Sequence, residues 1–180
     1  MTTYQIGLDA WIVQDGNYTD FAVGESRKFA LKLHSYTLKP SPVKSASMSL
    51  IGPARYAIHA SVEFMQPDAW VADFGLRAYC EQPPAPEVSV GNWLESEVYL
   101  GVDPFMYFER HCKLPGMPAL TYDWKIRGIL LETTPWITEG TTSFRDKAKK
   151  SHKAVTKTNA WDDDDGCASY VLECECLGPA

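Results

Sequence analysis

One pattern recurs along this chain at an almost constant spacing, and such a repeat restricts the fold before any single element is assigned. Ile6-Gly7-Leu8-Asp9-Ala10-Trp11 matches Phe74-Gly75-Leu76-Arg77-Ala78-Tyr79, a shift of 68 residues. Phe21-x-Val23-Gly24 with Leu31-x-Leu33 matches Val88-x-Val90-Gly91 with Val98-x-Leu100, a shift of 67. Tyr56-x-Ile58-His59-Ala60-x-Val62 with Pro67 matches Trp124-x-Ile126-Arg127-Gly128-x-Leu130 with Pro135, again 68. Strands resemble one another easily because they share a period. A common offset with matched glycines and prolines points instead to duplication. The segment from Ala168 to Cys176 resembles that from Ala72 to Cys80 at a shift of 96, which exceeds 68 by 28 residues.

The matched blocks are written in a strand period. Tyr56, Ile58, Ala60, Val62 and Phe64 alternate with Arg55, His59, Ser61 and Glu63, as in a strand with one face buried. Gln66-Pro67-Asp68 signals a turn, and Trp70, Ala72, Phe74, Leu76, Ala78 and Cys80 continue the alternation as a hairpin partner. Similar stretches cover residues 4–12, 29–33, 94–102, 122–130 and 168–176. Three strands with one apolar face cannot shield it alone, so two repeats must cover each other.

The expected fold is therefore all-β: a pseudo-twofold duplicated small β-barrel or sandwich of about seven strands with one short helix. Two linked barrels of oligonucleotide-binding type are the alternative architecture. The organisation expected is a single compact domain over 1–180. Repeat one spans 4–70, repeat two 72–137, a mobile charged insertion 138–167, and a closing strand 168–177 fills the open edge. Ile58, Val62, Phe74, Leu76, Ile126 and Leu172 are expected in the core. Residues 37–53, rich in Ser, Pro and Lys, read as a surface loop. Asp103-Pro104 opens the short helix, whose aromatic residues would cap one end of the barrel.

Charge narrows the function. The net charge is −6, which disfavours a protein that coats nucleic acid. Residues 145–157 nevertheless carry six basic side chains against Asp146, a local +5 that leaves −11 for the remainder and is followed by Asp162 to Asp165. The polar strand faces present Arg55, His59, Arg77, Tyr79, Lys125 and Arg127, a pattern able to track a single strand. Glu63, Asp73, Glu95, Glu97 and Asp123 on the same faces offset it. No apolar stretch approaches the ~20 residues that span a bilayer, and the first residues lack signal-peptide character. Five cysteines, an odd number, suit free thiols in a cytoplasmic protein.

No GxSxG, phosphate loop, HExxH or CxxC pair occurs, so motif-bearing hydrolase, nucleotide and zinc chemistry lose support. Cys80, Cys174 and Cys176 read as core thiols, and the Asp162 to Asp165 run as a solvated face. No catalytic residue, metal or cofactor is expected. The reading that remains is a non-catalytic binding or protein-interaction domain, without a membrane contact and with oligomeric state unset. Its candidate contacts are Lys147, Lys149, Lys150 and Lys153 with Trp161 on the insertion, and the aromatic pair Phe105 and Tyr107. The alternatives are a barrel with an enclosed small-ligand or catalytic pocket beneath residues 105–108, and a single-stranded nucleic-acid-binding barrel.

Overall fold

The structure is a computed structural model that describes residues 2–83 and 88–180, so residues 84–87 of the second repeat lie outside it. The chain is all-β. Among the described residues there are twelve strands: Thr3–Asp9 (β1), Ser26–Pro40 (β2), Ser47–Gly52 (β3), Arg55–Gln66 (β4), Ala69–Asp73 (β5), Arg77–Cys80 (β6), Trp93–Val102 (β7), Thr121–Glu132 (β8), Trp136–Glu139 (β9), Thr142–Arg145 (β10), His152–Val155 (β11) and Ser169–Pro179 (β12). Two short helices, Ala10–Gln14 (α1) and Met106–Glu109 (α2), and three 3-10 turns accompany them.

The count of about seven strands is thus too low, and the reasons are local. Residues 37–53, expected as a loop, form the end of β2 and all of β3. Ser47 and Ser49 alternate there with Met48 and Leu50, and β4 supplies the pairing partner. The continuous alternation expected over residues 70–80 is broken into β5 and β6. Gly75 adopts a φ of 102°, its N–H donates to the Asp73 carboxylate at 2.8 Å, and Asp73 then stands opposite Arg77. Residues 4–12 are strand only to Asp9. The 138–167 segment contributes β10 and β11, and β11 pairs with β8.

Pairing follows the order β11-β8-β12-β1-β7-β2-β6-β5-β4-β3, with two further pairings, β8 to β2 and β7 to β4; β9 and β10 form a separate hairpin. The two extra pairings close the order on itself twice. One circuit runs β2, β8, β12, β1, β7 and back to β2, and the other runs β7, β4, β5, β6, β2 and back to β7. Each contains one parallel contact, Gly7 beside Gly101 in the first and Lys32 beside Tyr79 in the second. Among the described residues, only β3 and β11 stand at the ends of the main sheet.

The backbone is bonded in the same way just ahead of β2 and just ahead of β7. Gly24 N donates to Ile126 O and Ile126 N to Glu25 O; Gly91 N donates to Val62 O and Val62 N to Asn92 O. Both glycines have a positive φ, 89° and 86°, a conformation that costs a β-substituted residue energy. The two glycines, 67 residues apart, thus make the same pattern of backbone bonds. The other two blocks do not keep 68. Ile126 stands where Val62 does, a shift of 64, so Pro67 has no counterpart in Pro135. Ile6 lies inside β1 opposite Leu172, whereas Phe74 sits in the β5–β6 turn.

All six residues expected in the core are buried. Trp124 on β8, fully enclosed, stacks on Phe29 with ring centroids 5.4 Å apart and donates its indole N–H to Phe29 O at 3.2 Å. A second cluster of Ala30, Phe64, Val71, Tyr79, Tyr107 and Leu120 joins the outer face of the sheet to the segment after β7. The aromatic helix thus packs through Tyr107 against a sheet face, and Phe105 beside it meets Tyr18 edge-on at 5.7 Å.

Candidate binding surface

β3 is unusual for an edge. Leu100 N donates to Ala54 O and Val62 N to Asn92 O, so the even-numbered residues of β4 turn their backbone groups to β7 and the odd-numbered ones to β3. Ser47 and Ser49, opposite His59 and Ala57, therefore bond to β4. The N–H and C=O groups of Met48 and Leu50 face away from it. An edge of that kind is a template for another strand, and proteins commonly blunt it with charge or proline. Within Ser47–Gly52 there is neither, and Leu50 (51% exposed) and Ile51 (47%) stand in solvent.

Beside this edge lies an open groove of about 520 Å³. Its lining comes from four strands: Thr37 and Lys39 of β2, Ser47 and Ser49 of β3, His59 of β4, and Glu95 and Glu97 of β7 among others. His59 Nδ1 lies 3.1 Å from Ser41 Oγ, and Glu97 is held by Arg55 at 3.0 Å, with Arg55 stacked over Tyr36. The groove offers hydrogen-bonding groups of both polarities and no net excess of positive charge, which suits a polypeptide backbone and polar side chains better than a phosphate chain.

A second polar group lies under α2. Asp103 is fully buried and accepts from Tyr79 Oη at 2.6 Å and Tyr107 N at 3.1 Å. Burial drives its carboxyl above the usual range, against the pull of the Tyr79 and Tyr107 hydrogen bonds. Glu81 bridges Lys32 and His111, the latter at 3.0 Å. Burial works to raise the Glu81 pKa, but the hydrogen bonds from Lys32 and His111 prevail and hold it below the ordinary range. Phe105, at the start of α2, takes a φ of 71° without being glycine, a strained state that the surrounding packing must enforce. The network's acceptors and donors are matched to one another, so it reads as the anchor of the α2 segment.

The residues singled out from the sequence are dispersed. Lys147 and Lys149 share a 3-10 turn, Lys150 follows it, and Lys153 lies on β11. Trp161 is 67% exposed. Tyr107 is buried and donates to Pro118 O at 3.1 Å, so its ring and hydroxyl serve packing. The segment that carries the lysines is tied to the rest of the fold: β11 pairs with β8, Thr158 Oγ1 donates to Asp20 at 2.8 Å and Phe21 N donates to Thr158 Oγ1 at 2.9 Å; within the segment Arg145 pairs with Asp164 and stacks on Trp136.

The three arginines of the strand faces are matched by acids, with Arg77 to Glu63 at 2.6 Å, Arg55 to Glu97, and Arg127 to Glu175, while Tyr79 is buried. All five cysteines are free. Burial pushes the Cys80 thiol up to about 11 and raises that of Cys174 as well, which leaves both unreactive. No helix among the described residues is long and apolar enough to cross a membrane. The β3 edge was missed by sequence reasoning, although the alternating Ser-Met-Ser-Leu of residues 47–50 carried its signal. No family model, no curated protein and no solved structure matches this chain.

Proposed function

We propose that the chain is a non-catalytic binding domain, a duplicated pair of five-stranded β-barrels, that takes up an extended segment of a partner protein as an added strand along β3. The observation that carries this reading is the uncharged edge itself, with the backbone groups of Met48 and Leu50 turned outward beside the groove. Strand addition gains affinity from main-chain hydrogen bonds and specificity from alternate side chains. The partner segment accordingly alternates apolar residues, set beside Met48 and Leu50, with polar residues that reach Lys39, His59 and Glu95. Support for the duplicated barrels comes from the two closed circuits and the matching bonds at Gly24 and Gly91. Five free thiols favour a reducing compartment, and we assign the domain to the cytosol on that ground.

Proline separates the recognition role of β3 from its structural one. At position 50 the lost N–H makes no bond to β4, so Leu50→Pro is expected to leave the melting temperature nearly unchanged. At position 49 it removes a ladder bond, and Ser49→Pro is expected to cost ~1–3 kcal/mol. Peptides selected from a random display library on the wild-type protein should be of alternating pattern and bind Leu50→Pro at least ~10-fold more weakly, a loss of ~1.4 kcal/mol. Selected peptides that bind both proteins equally would refute the role of β3.

A further inference from the structure

On the outer face of the sheet, where β1 meets β7, Gly7 and Gly101 lie side by side and form the floor of a cavity of about 180 Å³. Neither has a side chain, and the space above Gly7 is taken by the Tyr99 ring: a Cβ there would lie 1.7 Å from Tyr99 Oη. Tyr99 thus makes one aromatic wall. Trp11 of α1 makes another and remains 52% exposed despite its size. The charged groups that face the cavity are Asp9 and Lys32, and the His34 imidazole lies beside them.

These charges are not equally free. Lys32 is engaged by Glu81 and lies over the Tyr79 ring, so its charge is already compensated. Asp9 accepts one hydrogen bond, from Ser169 Oγ at 2.8 Å, and makes no ion pair among the described residues. Burial first, and the Asp9 charge second, keep the Tyr99 phenol protonated and therefore neutral. The net charge of −6 adds a long-range attraction for cations.

We propose that this cavity binds an organic cation, the guanidinium end of an arginine side chain, between the Trp11 and Tyr99 rings with Asp9 as its counter-ion. A planar guanidinium stacks on aromatic faces and pairs with a carboxylate through two parallel N–H donors, which an ammonium cannot do. At about 180 Å³ the cavity has room for a planar guanidinium. The proposal is independent of strand addition at β3, which uses other residues and a different kind of contact.

The test is an NMR titration of the full chain with N-acetyl-arginine amide, following the Trp11 indole N–H, with the neutral isostere N-acetyl-citrulline amide and the anionic N-acetyl-aspartate amide as controls. The arginine compound should shift that resonance saturably with a Kd of order ~1 mM. Asp9→Asn, which keeps an acceptor for Ser169, should weaken binding at least ~10-fold, as should Trp11→Ala at an exposed position. The two controls should have no saturable effect. No saturable shift with the arginine compound, an equal response to citrulline, a preference for the aspartate compound, or unchanged binding in both variants would overturn the assignment.

Discussion

Trp124→Ala is expected to destabilise the protein by ~3–5 kcal/mol, a large part of the ~5–15 kcal/mol that holds a domain together. Trp124 is fully enclosed; it stacks on Phe29, meets Tyr4 edge-on at 6.0 Å and Tyr122 at 5.5 Å, and donates its indole N–H to Phe29 O. Its ring packs into the core where β8 pairs with β2. Removing it leaves a cavity among residues anchored to separate strands, which cannot collapse together. At roughly 2–4 °C per kcal/mol for a chain of this size, the melting temperature should fall by ~6–20 °C. Trp161→Ala, which removes an exposed ring, should stay within ~0.5 kcal/mol. Urea titration of both variants distinguishes them, and similar losses would show that the interior is wrongly assigned.

Asp103→Ala should be nearly as harmful, and Asp103→Asn much less so. Alanine leaves the Tyr79 hydroxyl and the Tyr107 N–H buried without an acceptor, at ~1–3 kcal/mol each, whereas asparagine keeps one oxygen for them. The wild-type carboxyl also carries a pH signature. Because burial raises its pKa in the folded state, the unfolded chain releases this proton at lower pH than the folded one does. Between the two values the unfolded state binds fewer protons, so this group's contribution is most favourable below the unfolded pKa and is lost as pH rises through the folded one. The stability of wild type relative to Asp103→Asn should therefore decline from pH 4 to pH 7. A relative stability that increases over that range would contradict the burial of this carboxyl as its dominant influence.

What the residues revealed beforehand, and what they hid, follows from the range of the forces involved. The β4 strand was legible because Tyr56, Ile58, Ala60 and Val62 fall on one face of a period of two, and its turn because Pro67-Asp68 carries turn chemistry. β3 was hidden among Pro42, Lys44 and Pro53, since strand preference there depends on the neighbour that pairs with it. The breaks in residues 4–12 and 70–80 escaped notice for a related reason. Alternation continues through both, while α1 and the Gly75 turn depart from it. Polar partners remote in sequence were not legible at all: Lys32 meets Glu81 across 49 residues and His111 meets Glu81 across 30. Asp103 was expected as a helix cap, and it does accept a backbone N–H of α2, but burial beside Tyr79 gives it a larger part than local sequence implies.

The central claim is that β3 receives a partner strand, and amide hydrogen exchange at residues 47–50 tests it most directly. In the free protein, Ser47 and Ser49 should exchange slowly through their bonds to β4, and Met48 and Leu50 rapidly because theirs point to solvent. With a selected peptide bound, Met48 and Leu50 should become protected at least ~10-fold while the oligomeric state seen in sedimentation does not change, as expected for main-chain pairing at the edge. Slow exchange of Met48 and Leu50 in the free protein, or peptide binding that protects other strands and leaves these two amides unchanged, would contradict it.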